Sequence, residues 1–177
     1  MIVAYTVILI CVGIWLVKVG RGGSQGISDL MKYSLIPMQV KRGQRYRLIT
    51  SGFIHIAGMH LFANMYSLYN LGTMEYILGH LRFAVILLLS IIGGGLACTY
   101  YSREDTATVG ISGGLYGLLA AYLVWLFKTG LIYNASIRMS ILRVLIVNLL
   151  INFLPGISRQ GHAGGFITGF LLSMFML

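Results

Sequence analysis

Apolar residues fill long runs of the chain, and polar residues gather mainly in the breaks between them. A helix needs about 20 mostly apolar residues to cross the hydrocarbon core of a bilayer. Six segments meet or approach that length: Ile2–Val19, Leu48–Met74, Phe83–Tyr101, Val109–Phe127, Met139–Ile157 and Gly161–Leu177. The pattern predicts an all-α integral membrane protein, a bundle of six transmembrane helices in one domain over residues 1–177. The second segment exceeds what a crossing needs, so its first residues are expected outside the membrane. Asn148, Asn152 and Pro155 interrupt the fifth, which predicts a less regular helix. Connections are short except Gly20–Arg47, a loop rich in Gly, Lys and Arg that has room for short interfacial helices with snorkelling basic side chains.

Composition agrees with that pattern. Hydrophobic residues make up 58% of the chain and charged ones 10%, with a mean hydropathy of +0.86; a soluble domain carries about a quarter charged residues. Thirteen Lys and Arg face four acids. Because these cations cluster between apolar spans, anionic lipid headgroups are their expected partner rather than nucleic acid. The first run has no basic residue before it and is followed by Lys18 and Arg21, the reverse of a cleaved signal peptide, and is read as a retained helix. Cys11 and Cys98 each lie inside an apolar run, which suggests packing rather than a disulfide.

Polar groups inside a bilayer are costly and usually face a cavity or a partner. Here they concentrate on three spans: His55, His60 and Asn64 on the second, Ser112 and Tyr116 on the fourth, His162 on the sixth. Even-numbered spans run in the same direction, so Ser112 and His162, each near the start of its span, fall at matching depth. A serine hydroxyl is a weak nucleophile until a base accepts its proton, and His162 is the histidine placed to do so. Glycines on both sides of Ser112 leave the hydroxyl uncrowded.

No acid is well placed for a triad: Glu75 lies at the far end of span two, Asp29 in the long loop, and Asp105 in the connection before Ser112. A Ser–His dyad is the better reading. Tyr116, one turn beyond Ser112 on the same face, is positioned to support the His162 ring by stacking. His60 and Asn64 share a face of span two, and with the Ser112 backbone N–H they are candidate oxyanion donors. Neither an HExxH motif nor a cysteine cluster suggests zinc, and no cofactor is implied. Gly161, Gly165 and Gly169, and Gly113, Gly117 and Ala121, recur at the four-residue spacing of close helix contacts. Gly110-Ile111-Ser112-Gly113-Gly114 also fits the GxSxG elbow of soluble hydrolases, but that motif follows a strand, and nothing upstream alternates like one.

From roughly Arg45 to Gly169 the chain closely resembles the rhomboid family of intramembrane serine proteases. Gly110 to Gly117 reads GISGGLYG, like the family's GxSG with its tyrosine one turn later. Gly161 to Gly169 reads GHAGGFITG, like GHxxGxxxG; His60 and Asn64 match HxxxN; and Gly72 to Gly79 resembles the GxxxE segment. The resemblance implies Ser112 as nucleophile, His162 as base, and His60, Asn64 and the Ser112–Gly113 backbone around the oxyanion, with Gly110, Tyr116, Gly165 and Gly169 in support. It implies cleavage of transmembrane protein substrates admitted between spans two and five. It also places the enzyme in the cell membrane, its active face outside the cytoplasm. Tyr46-Arg47 stands where the family usually has Trp-Arg, so an aromatic and a cation survive. One feature points the other way: Lys32, Lys41, Arg42, Arg45 and Arg47 put more cations on the first loop than the positive-inside rule expects of an outer face. The rival readings are a catalytically silent relative that binds membrane clients and a small channel or transporter.

Overall fold

The computed structural model describes residues Met1–Leu177, the surroundings of Gly23 excepted. Among the described residues every regular element is helical, apart from one backbone bridge between Leu35 and Thr108. In chain order the α-helices are α1 (Ile2–Gly20), α2 (Gly23–Met31), α3 (Pro37–Lys41), α4 (Arg47–Thr50), α5 (Gly58–Leu71), α6 (Met74–Leu78), α7 (His80–Tyr101), α8 (Ser112–Lys128), α9 (Ala135–Ile151) and α10 (Arg159–Met176). As single elements, α1 and α7 are long and apolar enough to cross a membrane. A third candidate joins Arg47–Phe53 to α5 through a 95° bend.

That bend corrects the expectation of one long helix over Leu48–Met74. Ile54 and Ala57 take extended backbone conformations, so the helix stops and restarts. The carbonyls released by the break find donors elsewhere: Lys18 Nζ donates to Ile56 O at 2.6 Å, and Gly110 N donates to Ser51 O at 2.9 Å. Irregular backbone persists in a membrane protein where neighbours satisfy it in this way.

Other boundaries move as well. The fourth helix begins at Ser112, not Val109, because Gly110 sits at φ +109°, a conformation no α-helix contains. The fifth begins before Met139, where the Asn134 side chain caps it by accepting from Ser136 N and Ile137 N. It stays regular through Asn148 and ends at Ile151. The predicted irregularity therefore lies beyond the helix end, with Pro155 in the following turn.

The first loop does carry short helices, α2, α3 and α4. Pro37 opens α3, at the position where its missing N–H costs nothing. Arg47 pins the loop from inside: it is buried, donating from Nε to Gln44 Oε1 at 2.7 Å and from Nη1 to Ser34 O. Its guanidinium lies 5.5 Å from the centre of the Tyr46 ring.

The interior is a tight trio of α7, α8 and α10 joined by small residues. A Cβ added at Gly165 would sit 2.0 Å from Gly113 O, and one at Gly169 would sit 2.3 Å from Gly117 O. At Gly94 it would meet Gly161 O at 2.6 Å. Against this trio α1 and α5 pack a core that includes Cys11, Leu68, Phe83, Ile86 and Leu118. Cys98 is likewise buried and unbridged. Leu9, Phe62, Leu150 and Phe175 face outward and are more than half exposed, an apolar exterior suited to lipid.

Candidate active site

Ser112 is the first residue of α8 and follows directly on the left-handed turn at Gly110. His162 lies in the first turn of α10, which Ser158 caps by accepting from Gly161 N at 3.2 Å. Since glycines let the two helices nearly touch, the side chains meet: His162 Nε2 is 2.9 Å from Ser112 Oγ. His162 as a whole residue is 6% exposed. Tyr116 stacks on the ring with centroids 4.2 Å apart and planes at 16°.

The other ring nitrogen also has a partner. His162 Nδ1 lies 2.7 Å from Asn152 Oδ1, just past the end of α9. From sequence, Asn152 is expected only to interrupt a helix. Its signal was an amide in an apolar run, but only the turn after α9 carries it to the histidine. The acids are engaged elsewhere: Asp105 pairs with Arg103 at the surface, Asp29 with Arg21 and Lys32, and Glu75 with the start of α1.

On the facing side, His60 and Asn64 project from α5 towards Gly110. A Cβ at Gly110 would fall 2.7 Å from His60 Cε1 and 3.3 Å from Asn64 Nδ2. Asn64 Nδ2 is 2.9 Å from Nε2 of His55, which is fully buried and lies edge-on to His60. The sequence places His55 on this span without a role. The structure makes it the neighbour that orients the Asn64 amide.

Ser112, His162, His60, Asn64 and Tyr116 all border one cleft of about 1390 Å³. Its walls come from α5 on one side and from Ile141, Val144 and Asn148 of α9 on the other. Of the predicted residues, Gly113, Gly165 and Gly169 serve the helix contact beneath the cleft instead of lining it. The constellation brings a serine hydroxyl within hydrogen-bond distance of an imidazole, sets a side-chain amide against the other ring nitrogen, and lines the facing wall with His60 and Asn64.

A family model described as the Rhomboid domain matches residues 42–177. RHOMBOID-like protein 5 of Arabidopsis thaliana is 36% identical over 142 residues, which is 78% of this chain and 46% of that protein. The rhomboid protease GluP of Bacillus subtilis (strain 168) is 31% identical over 153 residues, covering 85% of this chain and 30% of its own length. The inactive RHOMBOID-like protein 8 of Arabidopsis thaliana is 38% identical over 126 residues, or 70% of this chain and 36% of that protein. The chain thus spans less than half the length of these relatives. With the match covering most of its residues, this membrane protein belongs to the Rhomboid family.

Proposed function

We propose that the chain is an intramembrane serine endopeptidase that cleaves transmembrane segments through a Ser112–His162 dyad. The observation that carries the reading is the 2.9 Å approach of His162 Nε2 to Ser112 Oγ inside a cleft between helices. His162 takes the hydroxyl proton as Ser112 Oγ attacks the scissile carbonyl. Negative charge then develops on the carbonyl oxygen, within reach of His60, Asn64 and the free N–H groups that open α8. The tetrahedral species collapses as His162 returns the proton to the leaving amine, and water hydrolyses the acyl-enzyme. Tyr116 steadies the ring throughout, and no metal or cofactor takes part.

In this reading residues 1–177 form one six-span domain. Helices α8 and α9 have 17 residues each and α10 has 18. At 1.5 Å per residue, 17 residues span about 26 Å, slightly less than the roughly 30 Å of hydrocarbon. Substrate helices enter between α5 and α9, with a small residue at the cut and helix-destabilising residues after it, since a peptide bond in an intact helix is shielded. The active face lies outside the cytoplasm of the cell membrane. Supporting that orientation, four of the six cations between Gly20 and Arg47 are already engaged: Arg47 inside the loop, Arg21 and Lys32 with Asp29, and Lys41 with Glu104.

Purified protein in liposomes should cleave a transmembrane substrate without ATP or added metal. Ser112→Ala and His162→Ala should each lower the rate by about 10³-fold or more, and a fluorophosphonate should label Ser112. Normal cleavage by Ser112→Ala would falsify the mechanism, while solute flux without labelling would favour a channel.

A further inference from the structure

We infer that Asn152 is the positioning residue of the base: it selects the imidazole tautomer of His162 and links that tautomer to the seating of α9. The inference rests on the serine protease reading above. It is carried by the hydrogen bonds around one side-chain amide.

Asn152 Nδ2 lies 2.8 Å from the backbone carbonyl of Asn148 and 2.8 Å from the Tyr116 hydroxyl. A carbonyl only accepts, so the NH₂ group must occupy that side of the amide. Turning the amide over would set Oδ1 against the Asn148 oxygen. The Tyr116 hydroxyl donates its own proton to the same Asn148 carbonyl at 3.1 Å, which leaves its oxygen to accept from Nδ2. Both donors of Asn152 are thereby used and its orientation is settled.

Oδ1 then faces His162 Nδ1 at 2.7 Å. An amide oxygen has no proton to give, so Nδ1 must carry the hydrogen. In neutral imidazole the lone pair then resides on Nε2, the atom that faces Ser112 Oγ. Aspartate does this in soluble serine proteases, and asparagine does it in the Cys–His–Asn variants. In an apolar cleft the amide has an advantage: it fixes the tautomer without burying an ionised group.

Its place in the chain provides the link to α9. That helix buries only Ile141 along its length. Its C-terminal end is held by the Asn148–Asn152–Tyr116 bonds and by Arg159 Nε, which donates to the Asn152 carbonyl at 2.7 Å. Displacing this end from the cleft wall withdraws Oδ1 from the imidazole. The base is therefore set for catalysis only when α9 is seated.

The test uses the full chain in liposomes with three variants: Asn152→Leu, which keeps volume but removes the acceptor, Asn152→Asp, which keeps an acceptor oxygen, and Ser112→Ala. Asn152→Leu should lower kcat about 10- to 100-fold with KM within about twofold, and slow fluorophosphonate labelling by a similar factor. Asn152→Asp should label about tenfold faster than Asn152→Leu. In ¹⁵N-histidine spectra His162 should be the Nδ1–H tautomer in the parent and lose that preference in Asn152→Leu. An Nε2–H tautomer in the parent overturns the inference, as do parent-like rates in Asn152→Leu or slow labelling with the tautomer unchanged. A parent protein that never labels, or Ser112→Ala that still cleaves, instead condemns the protease reading itself.

Discussion

At the scale of single residues, the tightest constraint on the site is a glycine two positions before Ser112. Gly110 adopts φ +109°, which L side chains rarely accept, and a Cβ there would strike the His60 ring at 2.7 Å. Gly110→Ala must therefore distort the turn that aims Ser112 or displace His60 from the cleft. Cleavage should fall by about 10²-fold, the loss expected when one oxyanion donor is misplaced, while thermal unfolding in detergent shifts only modestly. Unimpaired cleavage by Gly110→Ala would mean that the turn does not govern the site. The same residues mark the limit of what the sequence discloses. The meeting of Ser112 and His162 was legible because each begins a glycine-rich apolar run, and the even-numbered runs were expected to share a direction and so a depth. Asn152 was not, since its partner is chosen by a turn whose path no periodicity describes.

Among the elements, the site depends on how closely α8 and α10 approach. Ser112 and His162 meet because Gly165 lies against Gly113 and Gly169 against Gly117. A methyl at Gly165 would fall 2.0 Å from a backbone oxygen, which no rotamer change relieves. Gly165→Ala should destabilise the bundle by about 1–3 kcal/mol through overpacking. It should also depress cleavage further than the stability loss explains, because the dyad separates with the helices. Gly13→Ala is the control, as nothing lies within 4 Å of a Cβ at that position. Thermal unfolding in detergent and cleavage assays on both variants check the contrast; equal effects would show that helix approach is not what sets the dyad. These glycine rows were legible as a four-residue repeat. The break after Phe53 was not, because Ile54 and Ala57 are ordinary in an apolar run and the carbonyls they release are met by Lys18 and Gly110 from distant parts of the chain.

Across the whole molecule, the start of α1 is joined to the turn between α5 and α7 by one buried carboxylate. Glu75 of α6 accepts from Val3 N at 2.9 Å and Ala4 N at 3.0 Å, and from His80 at the head of α7. It thus serves as the cap for a helix that supplies none of its own, with its negative charge at the positive end of that helix. Burial alone would raise the Glu75 pKa, but the N–H groups of Ala4 and Val3 and the His80 side chain outweigh it and hold the carboxyl below its ordinary 4.5. A carboxyl whose pKa is lower in the folded chain than in the unfolded one contributes its full stability above the unfolded value, and loses it as pH falls through the folded one. The detergent-solubilised protein should therefore unfold more readily as pH drops below about 4.5, with the loss continuing until Glu75 is protonated in the folded state. Glu75→Gln should begin less stable at pH 7, since one amide oxygen replaces two charged acceptors, and this part of its acid sensitivity should be gone. Parallel pH–stability curves for the two proteins would place the acid response elsewhere. Because Glu75 and His80 lie outside the cleft, Ser112 labelling measured at pH 7 well below the unfolding temperature should change little in Glu75→Gln. That separates the clamp closing the bundle from the chemistry it encloses.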